Sequence, residues 1–179
     1  MIISAYQPFF APFPGFFAKA LRSDMLVIMD AVQFPLGATW LTRNRFKNSQ
    51  GTLWMAIPVW KKGLGLQRIN EVKICHERPW AKKHLGSLET AYANAPFFED
   101  HLSFLETLFS ERFEKLIDLN LNIIQYLKKH LGISARVTLL SDLGIEAKEP
   151  QLSVEIAKKL GASHFLAQNS AKKHLDERA

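Results

Sequence analysis

The sequence predicts an α/β fold: a three-layer domain with a mainly parallel sheet. Short apolar runs that suit buried strands alternate with longer segments of helical periodicity, as layered α/β domains require. The first 30 residues alone predict a strand, a tight loop, a helix and a second strand. The 179 residues, 47% hydrophobic and 22% charged, are enough to bury one core. We therefore expect a single α/β domain over residues 1–179.

The opening segment predicts the ligand-binding edge of the sheet. Residues 1–8 suit a buried strand, 9–15 a proline-rich loop, 16–24 a helix and 25–30 a second strand. Pro14 suits the first helical position, where its missing N–H costs nothing. In a parallel pair, the loop after the first strand and the residues after the second share one edge. Open α/β sheets bind ligands at that edge.

Residues 31–51 are predicted to be irregular and are dense in hydrogen-bonding groups. Arg43 and Arg45 point the same way if this segment is extended. Their guanidinium groups suit a carboxylate or a phosphate. A pair of arginines can equally close a loop by pairing with carbonyls and acids, and both interpretations stay open.

The middle of the chain predicts a β-hairpin followed by helices. Residues 52–60 and 68–75 are rich in β-formers and read as two antiparallel strands. A helix from Pro79 to about Ala95 and a helical signal over 99–132 follow, and Asp118–Asn122 marks a cap between two helices. Together they predict a helical insertion at about 79–132.

His84 lies on one face of the first of these helices, at four-residue spacing from Trp80 and Leu88. Two interpretations remain for it, a hydrogen-bonded core histidine and a catalytic residue.

Polar residues follow each strand predicted for the parallel sheet. The last two strands are residues 135–140 and 164–167, with a helix over 150–160 between them. If the strands are parallel neighbours, the polar residues line one crevice. They are Tyr6, Gln7, Asp30, Ser141, Asp142, Gln168 and Asn169.

Charge, cysteine content and hydropathy limit the kinds of partner and the cellular location that we expect for this chain. The net charge of +6 permits an anionic partner, but the lysines are spread along the chain, so nucleic acid is not expected. Cys75 is the one cysteine, which excludes an intramolecular disulfide. No apolar run reaches the roughly 20 residues of a membrane span. No signal-peptide pattern opens the chain, so a cytoplasmic location is expected.

The sequence contains no Walker A motif, G-x-G-x-x-G fingerprint, G-x-S-x-G elbow or zinc-type histidine pair. A rigid loop at a helix N-terminus remains, and such a terminus offers N–H groups to an anion. With Lys19, Arg43 and Arg45 it predicts phosphate or nucleotide binding and group transfer. Asp30 and Asp142 each suit a general base, a metal ligand or a structural cap.

The chain resembles the WbqC-like proteins over nearly its whole length. The N-terminal motifs that carry the likeness are Tyr6-Gln7-Pro8, Pro12, Pro14-Gly15-Phe16-Phe17, Lys19, Ser23-Asp24, Asp30-x-x-Gln33, Trp40, Arg43-Asn44-Arg45 and Ile57-Pro58-Val59. Later ones include Lys83-His84, Tyr92, Ala95-Pro96, Leu131-Gly132-Ile133 and Ser141-Asp142-Leu143-Gly144. That family is bacterial, is often encoded among surface-polysaccharide genes, and is suggested to include glycine or other acyl transferases of O-antigen synthesis. Its members usually run on by several dozen residues, so the chain is expected to lack the usual C-terminal part.

The residues and the resemblance together lead to one main hypothesis, a transferase that acts on a phosphate-bearing or carboxylate-bearing small molecule. The roles that follow belong to that hypothesis. Gln7 orients the substrate, Asp30 is the candidate base, and His84 completes the catalytic candidates. The substrate or anion is held by Tyr6, Pro12, Gly15, Lys19, Gln33, Arg43, Asn44, Arg45, Ser141, Asp142 and Gln168. No metal site is predicted, and a nucleotide or an acyl-CoA fits as the donor. A non-catalytic ligand-binding or assembly protein is the alternative, and the sequence leaves the oligomeric state open.

The opening strand, loop and helix are also similar to those of nucleotidylyltransferase-like (HUP-like) α/β proteins. In that class an H-x-G-H turn holds nucleotide phosphates. The loop here has no histidine and a single glycine, so the likeness serves as an analogy for architecture alone.

Overall fold

The computed structural model describes residues 1–167, which divide into two compact units. The first unit comprises residues 1–8, 12–32 and 124–167. The second comprises residues 9–11 and 33–123. Each unit is described by itself below. Within residues 1–167, every helix is too short or too polar to cross a membrane.

The described elements alternate between strands and helices. In chain order they are β1 (Ile2–Tyr6), α1 (Pro14–Leu21), β2 (Met25–Ile28), β3 (Arg43–Asn48), β4 (Gly51–Ala56), α2 (Trp80–Tyr92), α3 (Phe98–Ser110), α4 (Leu116–His130), β5 (Arg136–Leu139), α5 (Leu140–Leu143), α6 (Gln151–Leu160) and β6 (His164–Leu166).

The first unit contains a four-stranded parallel sheet in the order β5-β2-β1-β6. Helices flank it, with α1 packing on β1, α5 on β5 and α6 on β6. With the antiparallel hairpin of the second unit, this sheet confirms the predicted three-layer α/β fold class. The parallel pairing of β1 and β2 also confirms the strand–helix–strand unit predicted for the opening residues.

A buried apolar cluster lies between the sheet and its later helices. Ile3 and Val27 come from the two central strands, and Leu152 and Ile156 come from α6. All four are at most 3% exposed. The four-residue spacing of the α6 pair gives that helix one apolar face, which is why it packs on the sheet.

The first helix begins as the prolines predict. Pro14 occupies the start of α1, and Phe13 precedes it in extended conformation. The helix buries Phe16, Phe17 and Ala20 along one side. It ends at Leu21, earlier than the predicted Asp24.

In the second unit, the two segments predicted to form a hairpin, 52–60 and 68–75, pair antiparallel only over 58–60 and 73–75, where Trp60 N–H donates to Lys73 O and Cys75 N–H donates to Pro58 O. The rest of the predicted pairing is wrong. The partner of β4 is β3, which lies in the segment predicted to be irregular. Residues 68–75 instead contain a 3₁₀ turn at Ile69–Glu71, where Glu71 Oε2 accepts the Arg68 N–H at 2.7 Å. Their alternating pattern is satisfied by single bridges such as Val59 with Ile74.

The break in the long helical segment also differs from the prediction. It lies between Ser110 and Leu116, not at Asp118–Asn122, which is inside α4. The chain there pairs with an extended segment: Ile74 N–H donates to Glu114 O and Leu116 N–H to Val72 O, both at 2.9 Å. Backbone used in such pairing cannot also continue a helix.

Candidate functional site

The carboxyl edge of the parallel sheet gathers several of the predicted site residues. The strand register aligns Tyr6 with Ile28, and Ile28 with Leu139, in one row across β1, β2 and β5. Gln7 therefore directly follows that row on β1. Asp30 and Ser141 each follow it by two residues. This is the edge at which open parallel sheets bind ligands.

Asp30 joins the ends of two neighbouring strands. Its Oδ1 accepts the backbone N–H of Ser141 at 2.9 Å, and the residue is only 1% exposed. Ser141 is in the first turn of α5, where N–H groups have no partner inside the helix. The carboxylate thus has a structural role at the edge, and its role as a base stays a prediction. Asp142, the next residue of α5, is exposed.

Tyr6 and Lys19 form a cation–aromatic pair beside the same edge. Lys19 Nζ lies 4.3 Å from the centre of the Tyr6 ring. Burial lowers the pKa of the Lys19 amine from 10.5 to about 8, and it raises the pKa of the Tyr6 hydroxyl. At pH 7 the amine is still about nine-tenths protonated. Lys19 is therefore a partly desolvated cation, a state that strengthens its attraction to an anion.

The loop before α1 is held by its aromatic side chains. Tyr6 packs against Phe16 at 4.8 Å and edge-on against Phe13 at 6.3 Å, between ring centres. A Cβ on Gly15 would lie 2.6 Å from Phe13 Cε2, so glycine is required if the Phe13 ring is to stay in place. Pro12 is buried. Phe13 provides no side-chain cap for the helix.

In the second unit, Arg43 and Arg45 lie on one face of β3, with their guanidinium groups over tryptophan rings. The Arg43 guanidinium carbon is 4.6 Å from the centre of the Trp54 ring. That of Arg45 is 5.5 Å from Trp54 and 5.9 Å from Trp40. The two indoles stack on each other at 5.8 Å with an interplanar angle of 29°.

Trp40 and Trp54 are the residues of this cluster that were not predicted as site residues, although Trp40 is among the motifs of the family resemblance. For Trp54 a signal was present in the sequence. The usable signal was the spacing of β3 and β4 around the turn at 49–50, which places Trp54 directly opposite Arg45.

Asn44 faces the other way and holds a loop of its own unit. Its Nδ2 donates to Ala11 O at 2.6 Å and to Phe10 O at 3.2 Å, and its Oδ1 accepts the Arg45 N–H at 2.7 Å. Ala11 has a φ of 44°, a left-handed conformation that costs a non-glycine residue free energy. These bonds support a structural role for Asn44. Gln33 is exposed and forms an isolated bridge with Arg68.

His84 is half-buried in the second unit. Its Nε2 is 2.9 Å from Ala56 O, and its ring lies edge-on to Trp80 and Phe109 at 5.7 and 6.2 Å. Burial is the main cause that lowers the pKa of His84. These contacts favour the core interpretation of this histidine, and its catalytic role stays a prediction.

Two further points concern the predicted site as a whole. Gln168 lies outside the described residues. Among residues 1–167, no three His, Cys, Asp or Glu side chains group in a way that could hold a metal ion. That the candidates of both units serve one site remains a prediction.

Comparison with known proteins identifies a family and a similar protein. A sequence model described as the WbqC-like protein family matches residues 7–179. A protein of Mycobacterium tuberculosis, "Uncharacterized protein Rv1507c", is 29% identical over 177 residues. The match covers 98% of this chain and 76% of that protein. No solved structure matches the chain.

Proposed function

Because the chain belongs to the WbqC-like protein family, we propose that it is a small-molecule group transferase. In this proposal it moves an acyl, aminoacyl or nucleotidyl group from an anionic donor to an acceptor used in bacterial surface polysaccharide (O-antigen) synthesis. The polysaccharide link rests on the resemblance, and the reaction class on the geometry of the first unit.

One observation carries the proposal: the carboxyl ends of β1, β2 and β5 align Gln7, Asp30 and Ser141 at one edge. Parallel sheets use this edge for ligands because the loops there can be shaped without disturbing the strands. Lys19, packed over Tyr6 at the end of β1, adds a cation in a partly desolvated position.

In the proposed reaction, Asp30 takes the proton of an acceptor hydroxyl or amine as that atom attacks the donor. The bond to the donor's leaving group then breaks, and the leaving group departs with the electron pair. Gln7 orients the acceptor, and Lys19 balances the negative charge of the donor.

The test is a matched pair of aspartate variants. Asp30→Asn removes the base but keeps an oxygen that can accept the Ser141 N–H. Asp24→Asn makes the same change before β2, where Asp24 Oδ2 accepts the Ile2 N–H at 2.6 Å at the opposite end of the sheet. Candidate ligands are first identified by a thermal-shift screen of nucleotides, nucleotide sugars, acyl-CoAs and amino acids, in which a ligand that binds raises the melting temperature. Transfer between the hits is then followed by mass spectrometry.

We expect Asp30→Asn to lower turnover by about a hundredfold or more and Asp24→Asn to leave it unchanged. Equal turnover in both variants would remove Asp30 from the mechanism.

One observation favours a second candidate, a non-catalytic ligand-binding or assembly protein. Asp30 is almost fully buried and holds the backbone of a neighbouring strand end. A carboxylate in that position can be retained for the fold alone. This candidate predicts ligands that stabilise the protein without any product in the transfer assay.

A further inference from the structure

The outer face of the β3–β4 hairpin differs in chemistry from the rest of the second unit. Side chains alternate along a strand, so Arg43, Arg45 and Lys47 share one face of β3. The register sets them opposite Ala56, Trp54 and Thr52, respectively. This face carries three cations and no acidic residue. The opposite face is more buried, with Met55 1% exposed.

The two guanidinium groups on this face contact aromatic rings, and their N–H donors are available to a ligand. Within residues 1–167, the side chains of Arg43 and Arg45 make ring contacts but no hydrogen bond or ion pair. A guanidinium that lies over an aromatic ring still has N–H donors free for a ligand. The ring contacts also restrict the side chain before any ligand arrives, which reduces the entropic cost of binding.

The tryptophans supply an exposed aromatic surface beside these donors. Trp40 and Trp54 are 46% and 48% exposed, although they stack on each other. Exposed stacked indoles offer a planar ligand both dispersion and a π-face. A face with aromatic rings and unpaired arginines complements a planar group that carries adjacent negative charges.

We propose that this face binds a nucleoside diphosphate group, with the base on the tryptophans and the two phosphates at Arg43 and Arg45. Alternate residues of a strand are about 6.8 Å apart, a spacing that lets the two arginines take neighbouring phosphates. The two indoles and the two guanidinium groups form one cluster, with distances of 4.6 to 5.9 Å between ring centres or from a guanidinium carbon to a ring centre. One compact cluster suits a single base better than the successive bases of a strand.

This ligand chemistry has two sources, a free or sugar-linked nucleotide and coenzyme A. Both carry a base and a pyrophosphate. Treating the ligand as the group donor rests on the proposed function, whereas its binding to the hairpin does not.

The test uses the full chain and direct binding measurements. ADP, UDP and coenzyme A are titrated with calorimetry and tryptophan fluorescence as readouts, beside adenosine, inorganic pyrophosphate and a short single-stranded RNA. Trp40→Leu and Arg43→Gln probe the stack and the clamp. Trp60→Leu is the control, since Trp60 is also exposed, at 43%, but lies outside this face.

We expect ADP, UDP or coenzyme A to bind and to quench tryptophan fluorescence. Trp40→Leu and Arg43→Gln should each weaken binding by about tenfold or more, and Trp60→Leu should not. The preference among ADP, UDP and coenzyme A identifies the source.

Three results would overturn the proposal: no binding of these ligands up to about 1 mM, pyrophosphate binding as tightly as ADP, or RNA binding far more tightly with a steep salt dependence. Asp30→Asn separates this inference from the proposed function. In that variant we expect nucleotide binding to survive while turnover falls. Nucleotide binding by the wild-type chain that yields no transfer product would support the inference while the transferase proposal fails.

Discussion

Replacing Lys19 by methionine should stabilise the protein at pH 7, because the folded chain holds this amine where charge is disfavoured. A pKa lowered from 10.5 to about 8 corresponds to about 3.4 kcal/mol against the charged form. The amine is partly exposed, and solvent screening reduces this to about 1.7 kcal/mol. The Tyr6 ring offsets about 0.5–1 kcal/mol by attraction to the cation. A net gain of about 1 kcal/mol remains for Lys19→Met.

The gain should depend on pH in a defined direction. Because the folded-state pKa is the lower one, the unfolded chain binds more protons between about pH 8 and 10.5. The wild-type protein therefore gains stability across that interval, and Lys19→Met does not. The advantage of the variant should be full below about pH 8 and should shrink as the pH approaches 10.5.

Urea unfolding at about pH 7 and pH 10 measures both effects. Other groups titrate equally in the two proteins, so the difference between them isolates Lys19. Arg22→Met is the control, because Arg22 follows the same helix and is exposed. A variant that is less stable at pH 7, or whose advantage is the same at both pH values, would refute the reasoning.

Three further changes test local packing. Gly15→Ala should destabilise the protein by about 1 kcal/mol, because the added Cβ meets the Phe13 ring. In a Phe13→Ala background the same change should become neutral or stabilising. A double-mutant cycle that shows no coupling between the two positions would count against that contact. Asn44→Ala should lower the free energy of unfolding by about 2–3 kcal/mol, because two loop carbonyls lose their donor. The control Asn48→Ala frees only one turn N–H and should lower it by about 1 kcal/mol or less. Urea unfolding measures both variants, and equal losses would contradict this reasoning. For His84, whose pKa is lowered, the unfolded chain takes up the proton first as the pH falls below about 6.5, so stability should drop there. His84→Gln keeps a donor at this position and should lose that part of the acid sensitivity, measured by unfolding at about pH 7.5 and 5; an unchanged pH profile would be inconsistent with burial of this histidine.

The accurate sequence predictions concern segments whose pattern is decided locally. Pro14 can start a helix because its ring fixes φ and it has no N–H to satisfy, and α1 begins there. The apolar runs of β1 and β2 match buried parallel strands, which are covered on both faces and so need no alternation. β5 was also predicted as a strand, but it lies at the edge of the sheet and is only partly buried. The polar residues after those strands could be named before any coordinates were known.

The predictions that failed concern segments whose pairing is decided by distant partners. β3 has the sequence RNRFKN, with cations on one face and Asn44 on the other, so it shows no apolar alternation. Residues 68–75 alternate well yet find only isolated bridges along their length. The helix break lies at 111–115 because that stretch pairs with residues 72–74, which nothing in its own composition reveals.

The amino-acid sequence by itself determined the α/β class, the strand–loop–helix opening and the family to which the chain belongs. Local sterics and the period of apolar residues set the first two, and both act over a few neighbouring residues. Tertiary structure alone decided that Trp54 lies opposite Arg45, that Asp30 reaches the backbone of Ser141, and that Lys19 loses much of its solvent. Each of these depends on strand register or on burial, which arise only when segments far apart in the chain come together.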